Sequence, residues 1–75
     1  MAARDPELMR LKLRQLLIAA RDAKGLTQAE LGARLGRTQS FVSAFETGRR
    51  IEVVELIQIA EALGLDVRGV IEQLG

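Results

Sequence analysis

Hydrophobic residues recur along the chain every three or four positions, the spacing that places them on one face of an α-helix. In the first such segment, Leu13–Ala20, the residues at positions 13, 16, 17 and 20 form an apolar stripe. Asp5 before Pro6 is typical of a helix start, and Lys24 before Gly25 is typical of a helix end. The pattern therefore predicts a first helix from about residue 6 to residue 24.

Four further segments of this kind follow, and no stretch alternates between apolar and polar residues as a strand does. We predict helices over residues 28–35, 39–47 and 52–63, and a fifth after Asp66. Thr27 and Glu30 have the spacing of a capping box, and Thr38 is placed to cap the third helix. The chain is therefore predicted to be a compact all-α domain of five helices.

The second and third predicted helices are separated by only three residues, Gly36-Arg37-Thr38. A connection this short forces a tight turn and a steep helix crossing. The crossing needs a small side chain, which Gly32 supplies, and Gly36 can adopt a positive φ without a Cβ clash. Four apolar residues then face the shared core: Leu31, Leu35, Val42 and Phe45. Polar residues remain on the other side of the third helix: Gln39, Ser40, Ser43 and Thr47.

The composition narrows the possible functions. At 75 residues there is room for one domain, and 48% hydrophobic residues suffice for its core. Cysteine and histidine are absent, which excludes disulfides, zinc sites built from these residues and Ser-His catalysis. The sequence contains no paired acid and base, metal cluster or phosphate-binding loop, so neither an enzyme activity nor a cofactor is expected.

The net charge of +1 hides an uneven distribution. Residues 1–50 contain ten Lys and Arg against five Asp and Glu, whereas residues 51–75 contain one Arg against five acidic residues. This asymmetry is typical either of a half that faces a polyanion or of ordinary solvated helix surfaces. The longest apolar run, Leu16–Ala20, is far shorter than a membrane span of about 20 residues, and no signal peptide is recognisable. With cysteine absent, a cytoplasmic location is expected.

Two adjoining runs resemble a known motif. Residues 27–36, TQAELGARLG, resemble the opening of the phage repressor/Cro-type helix-turn-helix, also called the XRE family. Residues 38–50, TQSFVSAFETGRR, are similar to its recognition helix and following loop, and residues 56–65 are similar to its fourth helix. Two features depart from the family pattern: Arg37 stands where relatives are usually apolar, and the loop after Gly48 is one residue shorter and lacks proline.

The resemblance spans about residues 13–71. It implies that residues 1–12 extend the first helix and that residues 13–71 form the domain, with its motif at about 28–47 and a C-terminal end at 72–75. The implied fold is the five-helix, lambda-repressor-like DNA-binding domain. In that fold helices 2 and 3 form the helix-turn-helix, and the third helix lies in the DNA major groove.

The same resemblance implies contacts to DNA. Base contacts are expected from four residues of the third helix: Gln39, Ser40, Ser43 and Ala44. Contacts to the sugar-phosphate backbone are expected from six residues: Gln28, Arg37, Thr38, Phe41, Arg49 and Arg50. Alternatives stay open, because Ser43 can be a packing residue and Arg37 and Arg50 can be plain surface charge. Phe41, expected to be exposed, can instead fold back onto the core.

Arg21 and Glu46 match a pair that forms a salt bridge in this family and braces the recognition helix. The expected function is sequence-specific binding of double-stranded DNA by a transcriptional regulator, with repression as the expected role. Because one recognition helix reads few base pairs, we expect a homodimer on a palindromic operator with half-sites ~34 Å apart or a multiple of it. Three apolar residues are the dimerisation candidates: Val70, Ile71 and Leu74. The alternative is an antitoxin-like or coactivator-like protein-interaction module, which an exposed Phe41 favours.

Overall fold

The computed structural model describes residues 5–75, and over this range it contains five α-helices and no strand. The helices are α1 Pro6–Ala23, α2 Gln28–Arg34, α3 Gln39–Thr47, α4 Val53–Ala62 and α5 Val67–Leu74. The prediction of a five-helix, all-α domain is therefore confirmed. None of these helices combines the length and the apolar character needed to cross a membrane.

Short polar side chains fix where the helices begin. The Asp5 carboxylate accepts a hydrogen bond from the backbone N–H of Glu7 at 3.0 Å, and the Thr38 hydroxyl accepts one from Phe41 at 3.3 Å. At α2, the Glu30 N–H donates to the Thr27 hydroxyl at 3.1 Å, while the Glu30 carboxylate accepts from the Thr27 N–H at 2.9 Å. The predicted capping box is thus present in both directions, and it satisfies backbone donors that the helix itself leaves free.

The turn between α2 and α3 is close-packed at the backbone. A Cβ on Gly32 would lie 2.7 Å from the carbonyl oxygen of Thr38, so any larger residue there must displace the start of α3. Gly36 adopts φ +66°, and the N–H of Arg37 donates to the carbonyl oxygen of Gly32 at 2.8 Å. Both glycine predictions are confirmed, and together these contacts fix the angle at which α3 leaves α2.

The hydrophobic core lies between the helices, and every helix contributes to it. Phe45 of α3 is fully buried and is the largest side chain of the core. The other buried hydrophobic residues are Leu17, Leu26, Leu31, Val42, Leu56, Ile59, Ala60, Leu63 and Val70. Because α3 packs against both α1 and α2, its inner face is held while its outer face stays open to solvent.

The C-terminal helix corrects one expectation about dimerisation. Val70 is 2% exposed and packs in the core of its own chain, so it is not available to a partner. The sequence pattern missed this because the apolar residues of α5 share one face of the helix, and their spacing does not tell which of them pack within their own chain. Ile71 is 53% exposed and Leu74 is half-buried, and these two positions remain accessible.

Candidate nucleic-acid interface

The first turn of α3 presents its polar side chains to solvent. Gln39 and Ser40 are exposed, as is Thr38, whose hydroxyl caps the helix. Ser43 and Ala44 lie one turn later on α3 and are half-buried. The four residues expected to contact bases therefore lie along one stretch of α3, and the exposed ones are at its N-terminal end.

A chain of hydrogen bonds connects Gln39 to Arg21 of α1. The Gln39 amide donates to the Gln28 amide oxygen at 3.4 Å, and Gln28 donates in turn to Glu46 Oε1 at 2.9 Å. Glu46 also accepts from Arg21, whose Nε lies 2.7 Å from Oε2 and whose Nη2 lies 3.1 Å from Oε1. The Gln28 side chain, expected to hold a phosphate, is thus already engaged at its oxygen and at one of its two amide hydrogens.

Arg21 and Glu46 are paired as the sequence resemblance implies. Their side chains are 14% and 5% exposed, so the pair is largely removed from water. Arg21 Nη1 donates in addition to the carbonyl oxygen of Leu26 at 2.8 Å. The pair joins α1 to the last turn of α3, and the loss of Arg21 would leave the buried Glu46 carboxylate without a cation.

A second cluster surrounds Glu55, in the first turn of α4. Glu55 is 8% exposed and accepts two hydrogen bonds from Arg49, at 3.1 Å and 3.3 Å, and one from the Glu52 N–H at 3.1 Å. Arg37 Nη2 lies 4.0 Å from the same carboxylate. The hydrogen bonds from Arg49, and after them the one from Glu52, hold the pKa of Glu55 below its ordinary value.

Phe41 lies beneath the two arginines of this cluster and is half-buried, which corrects the expectation that it is exposed. Its ring meets Phe45 edge-on, with 5.6 Å between the ring centroids and 69° between the planes. The guanidinium carbons of Arg37 and Arg49 lie 4.1 Å and 5.2 Å from the Phe41 centroid. Phe41 thus folds back onto the core residue Phe45 and also supports two cations.

Comparison with known proteins identifies the family. The sequence model of the helix-turn-helix family matches residues 17–70, which includes all of α2, α3 and α4. A solved structure of an XRE-family like protein from Pseudomonas syringae pv. tomato str. DC3000 is 43% identical and superposes with a TM-score of 0.83, covering 88% of this chain and 82% of that one. The chain belongs to the XRE family of helix-turn-helix proteins.

A curated relative of this XRE-family domain is the HTH-type transcriptional regulator y4dJ, described as uncharacterized, from Sinorhizobium fredii (strain NBRC 101917 / NGR234). The two are 48% identical over 46 residues, which is 60% of each sequence. The matched part therefore spans about 60% of the length of that curated relative.

Glu55 is a residue of the candidate interface that the sequence interpretation missed. Glu55 has a local signal, because its position three residues after Glu52 and before an apolar run is typical of the first turn of a helix. Its pairing with Arg49 and Arg37 has no such signal, since those residues lie on separate connections that meet only in the folded chain. Arg50 is exposed and has no carboxylate within 4.0 Å among residues 5–75.

Proposed function

We propose that this XRE-family domain binds double-stranded DNA in a sequence-specific manner and regulates transcription, with α3 in the major groove. The observation that carries the proposal is the pair Gln39 and Ser40, exposed side by side in the first turn of α3. An α-helix fits the major groove, and its side chains can reach the base edges there. Family membership and the similarity to the HTH-type transcriptional regulator y4dJ support the same function.

The base contacts follow from the chemistry of the exposed side chains. A glutamine amide can bind adenine through N6 and N7, and a serine hydroxyl can bond to several bases. Gln39 is tethered through Gln28 to Glu46, so its amide is oriented before DNA arrives. Ser43 and Ala44 are half-buried, so their contribution is a close approach to the groove surface.

The backbone contacts surround the base-reading end of α3. The cations Arg37, Arg49 and Arg50 are exposed, and Thr38 lies between the turn and α3. Phe41 supports two of these cations from below and can cover a sugar with its remaining surface. Such contacts fix the position of a protein on DNA without reading its sequence. This division assigns specificity to Gln39 and Ser40 and affinity to the residues around them.

The finer description is a repressor that acts as a homodimer on a palindromic operator in the cytoplasm. Its support is that one helix the length of α3 reads few base pairs, so two copies on adjacent half-sites give the needed affinity. A repressor acts by occupying its operator, and this requires no site beyond the DNA-binding surface and the dimer contact.

The test of the proposed function begins with selection of binding sites from random duplex DNA. We expect the protein to select a defined sequence, and Gln39→Ala to lose preference at one base pair of each half-site, worth about 1–3 kcal/mol of discrimination. Gln58→Ala is the matched control, because Gln58 is an exposed glutamine on α4. Failure of the parent to select any sequence would refute DNA recognition. Equal preferences in the two variants would refute the role of Gln39.

Binding to a protein partner is a second candidate, and one observation favours it. Val53 and Val54 of α4 are 65% and 54% exposed, and Ile57 one turn later is 39% exposed. Exposed apolar residues grouped on one helix are typical of interaction surfaces. Phe41, the residue of α3 that favoured a protein partner, is half-buried against Phe45, so this second function would belong to α4 and not to the recognition helix.

A further inference from the structure

A cavity of about 170 Å³ lies between the N-terminal half of α1 and the loop that follows α3. Four arginines line it: Arg10 and Arg14 from α1, and Arg49 and Arg50 from the loop. The remaining lining consists of Gly48 and two apolar side chains, Leu13 and Ile51. No carboxylate lines the cavity, so its charged side chains are all cationic and suit an anion.

Two of the four arginines are already compensated. Arg10 pairs with Glu7, and Arg49 pairs with Glu55 at 3.1 Å. Arg14 and Arg50 have no carboxylate within 4.0 Å among residues 5–75, so the cavity keeps an excess of two positive charges. Guanidinium groups are weakly hydrated and bind phosphate through parallel N–H donors, which makes a phosphate the matching occupant.

The position of the cavity on the domain decides which phosphate fits. Gly48 follows the last residue of α3 and is nine positions after Gln39, a rise of about 14 Å along a helix. The major groove is about 12 Å wide. When the first turn of α3 lies against the bases, its C-terminal end therefore reaches the sugar-phosphate backbone at the edge of the groove.

We propose that this cavity holds one backbone phosphate of the bound DNA, with Arg14 and Arg50 as its ligands. The inference rests on the proposed function and extends the DNA contact to α1, for which the sequence resemblance implies no contact with DNA. Arg14 is half-buried, so less of its side-chain freedom is lost on binding than for a fully solvated arginine. Leu13 and Ile51, which pack on the core, support the arginines from behind.

The test measures how the affinity for the selected operator depends on salt. Each phosphate contact contributes about one to the slope of log K against log salt concentration. We expect Arg14→Ala to weaken binding to operator and to unrelated duplex by the same factor and to lower the slope by about one. Arg68→Ala is the matched control, because Arg68 is exposed on α5 and does not line the cavity. It should leave the slope at the parent value.

Two further variants keep the result interpretable. Arg14→Lys retains the charge and should retain the salt slope. If Arg14→Lys lowers the slope as much as Arg14→Ala does, the effect belongs to packing and the proposal is overturned. If Arg14→Ala does not fold, Arg50→Ala gives the same measurement from an exposed position. If the parent binds its operator and the variant has the same salt slope as the parent, this inference alone is overturned. If the parent does not bind an operator, the proposed function is refuted, and the phosphate site with it.

A free anion is the other possible source of the same chemistry. Inorganic phosphate is titrated into the protein while the backbone amide signals of Gly48 and Arg50 are followed by NMR. Saturable shifts that Arg14→Ala abolishes support a phosphate site, provided that the salt slope for DNA also falls. Such shifts together with an unchanged DNA slope would assign the cavity to a diffusible phosphate compound and overturn the DNA assignment.

Discussion

Glu55 connects three parts of the domain through one carboxylate. It accepts a hydrogen bond from the N–H of Glu52 at the start of α4, pairs with Arg49 in the preceding loop and faces Arg37 in the turn of the helix-turn-helix. Removing a charge from water is costly unless hydrogen bonds and a counter-charge replace the water, and both are present here. The carboxylate thereby holds two cations against the Phe41 ring, both of them proposed contacts to the DNA backbone.

The Glu55 cluster leads to a prediction about pH. The folded-state pKa of Glu55 is lowered, while the unfolded value is about 4.3. The contribution of the Glu55 charge to the stability of the fold is therefore complete above about pH 4.3, and it is lost as the pH falls through the folded-state pKa. We expect Glu55→Gln to reduce stability at pH 7 by about 1 kcal/mol, a modest value because Arg49 is 44% exposed.

The measurement is thermal unfolding at pH 7 and pH 3. A loss of 1 kcal/mol lowers Tm by roughly 4–8 °C in a domain of this size. This difference should shrink at pH 3, because the unfolded parent then binds a proton at Glu55 more readily than the folded parent does. Glu72→Gln is the control, because Glu72 is exposed on α5 and makes no ion pair among residues 5–75. A Tm difference of the same size at both pH values would show that the charge of Glu55 does not stabilise the fold.

Single residues also show where sequence interpretation reaches its limit. Phe41 and Phe45 are four positions apart, a spacing that places both on one face of a helix, so their contact was recoverable from the sequence. The stacking of Arg37 and Arg49 on Phe41 was not, because it depends on where long side chains from two connections meet in space. The cavity beside Arg14 is hidden for the same reason.

At the scale of helices, most of the fold could be predicted because its signals are local. Asp5, Thr27, Thr38 and Asp66 each accept a backbone hydrogen bond within three residues, so the starts of four helices are encoded in short segments. The first turn of α4 was less clear, since its N-cap is Glu52, a residue outside the preferred set for that position. The burial of Val70 could not be read from α5, because it depends on how α5 packs against α1 and α4.

The crossing of α2 and α3 leads to a prediction at this scale. In Gly32→Ala the new Cβ would lie 2.7 Å from the Thr38 carbonyl oxygen, a backbone atom that can move only with α3. Overpacking of this kind costs about 1–3 kcal/mol, which exceeds the roughly 1 kcal/mol that alanine gains over glycine in a helix. We expect a lower Tm and weaker operator binding, because the shift of α3 displaces Gln39.

Gly69 provides the matched control for this substitution. It lies within α5, and a Cβ added there meets no atom within 4 Å. Gly69→Ala should therefore raise Tm, by the intrinsic helix preference of alanine alone. If denaturation shows both variants to be equally stable, the close approach of α2 to the start of α3 is not present in solution.

At the scale of the whole molecule, the charge asymmetry of the sequence does not divide the fold into a basic half and an acidic half. Glu55 belongs to the acidic C-terminal portion, yet it pairs with Arg49 and faces Arg37. Arg10 and Arg14 precede the family match at residues 17–70, yet they line the same cavity as Arg49 and Arg50. The fold thus gathers cations from three segments around the two ends of α3.

The last prediction concerns the proposed homodimer. With Val70 buried, Ile71 is the exposed apolar residue that α5 offers to a second copy. Because a charge at the centre of an apolar contact is desolvated without a partner, Ile71→Glu should convert a dimer into a monomer. Val54→Glu on α4 is the matched control, since the two side chains are 53% and 54% exposed.

Sedimentation equilibrium at high micromolar concentration distinguishes the possible outcomes. We expect the parent and Val54→Glu to be dimers and Ile71→Glu to be a monomer that still binds one half-site but has lost its preference for two half-sites ~34 Å apart or a multiple of it. A monomeric parent would refute the homodimer. If Val54→Glu alone dissociates, the contact lies on α4, and its exposed apolar residues serve self-association. If both variants remain dimeric, neither helix face forms the interface, and DNA recognition by α3 is left unaffected.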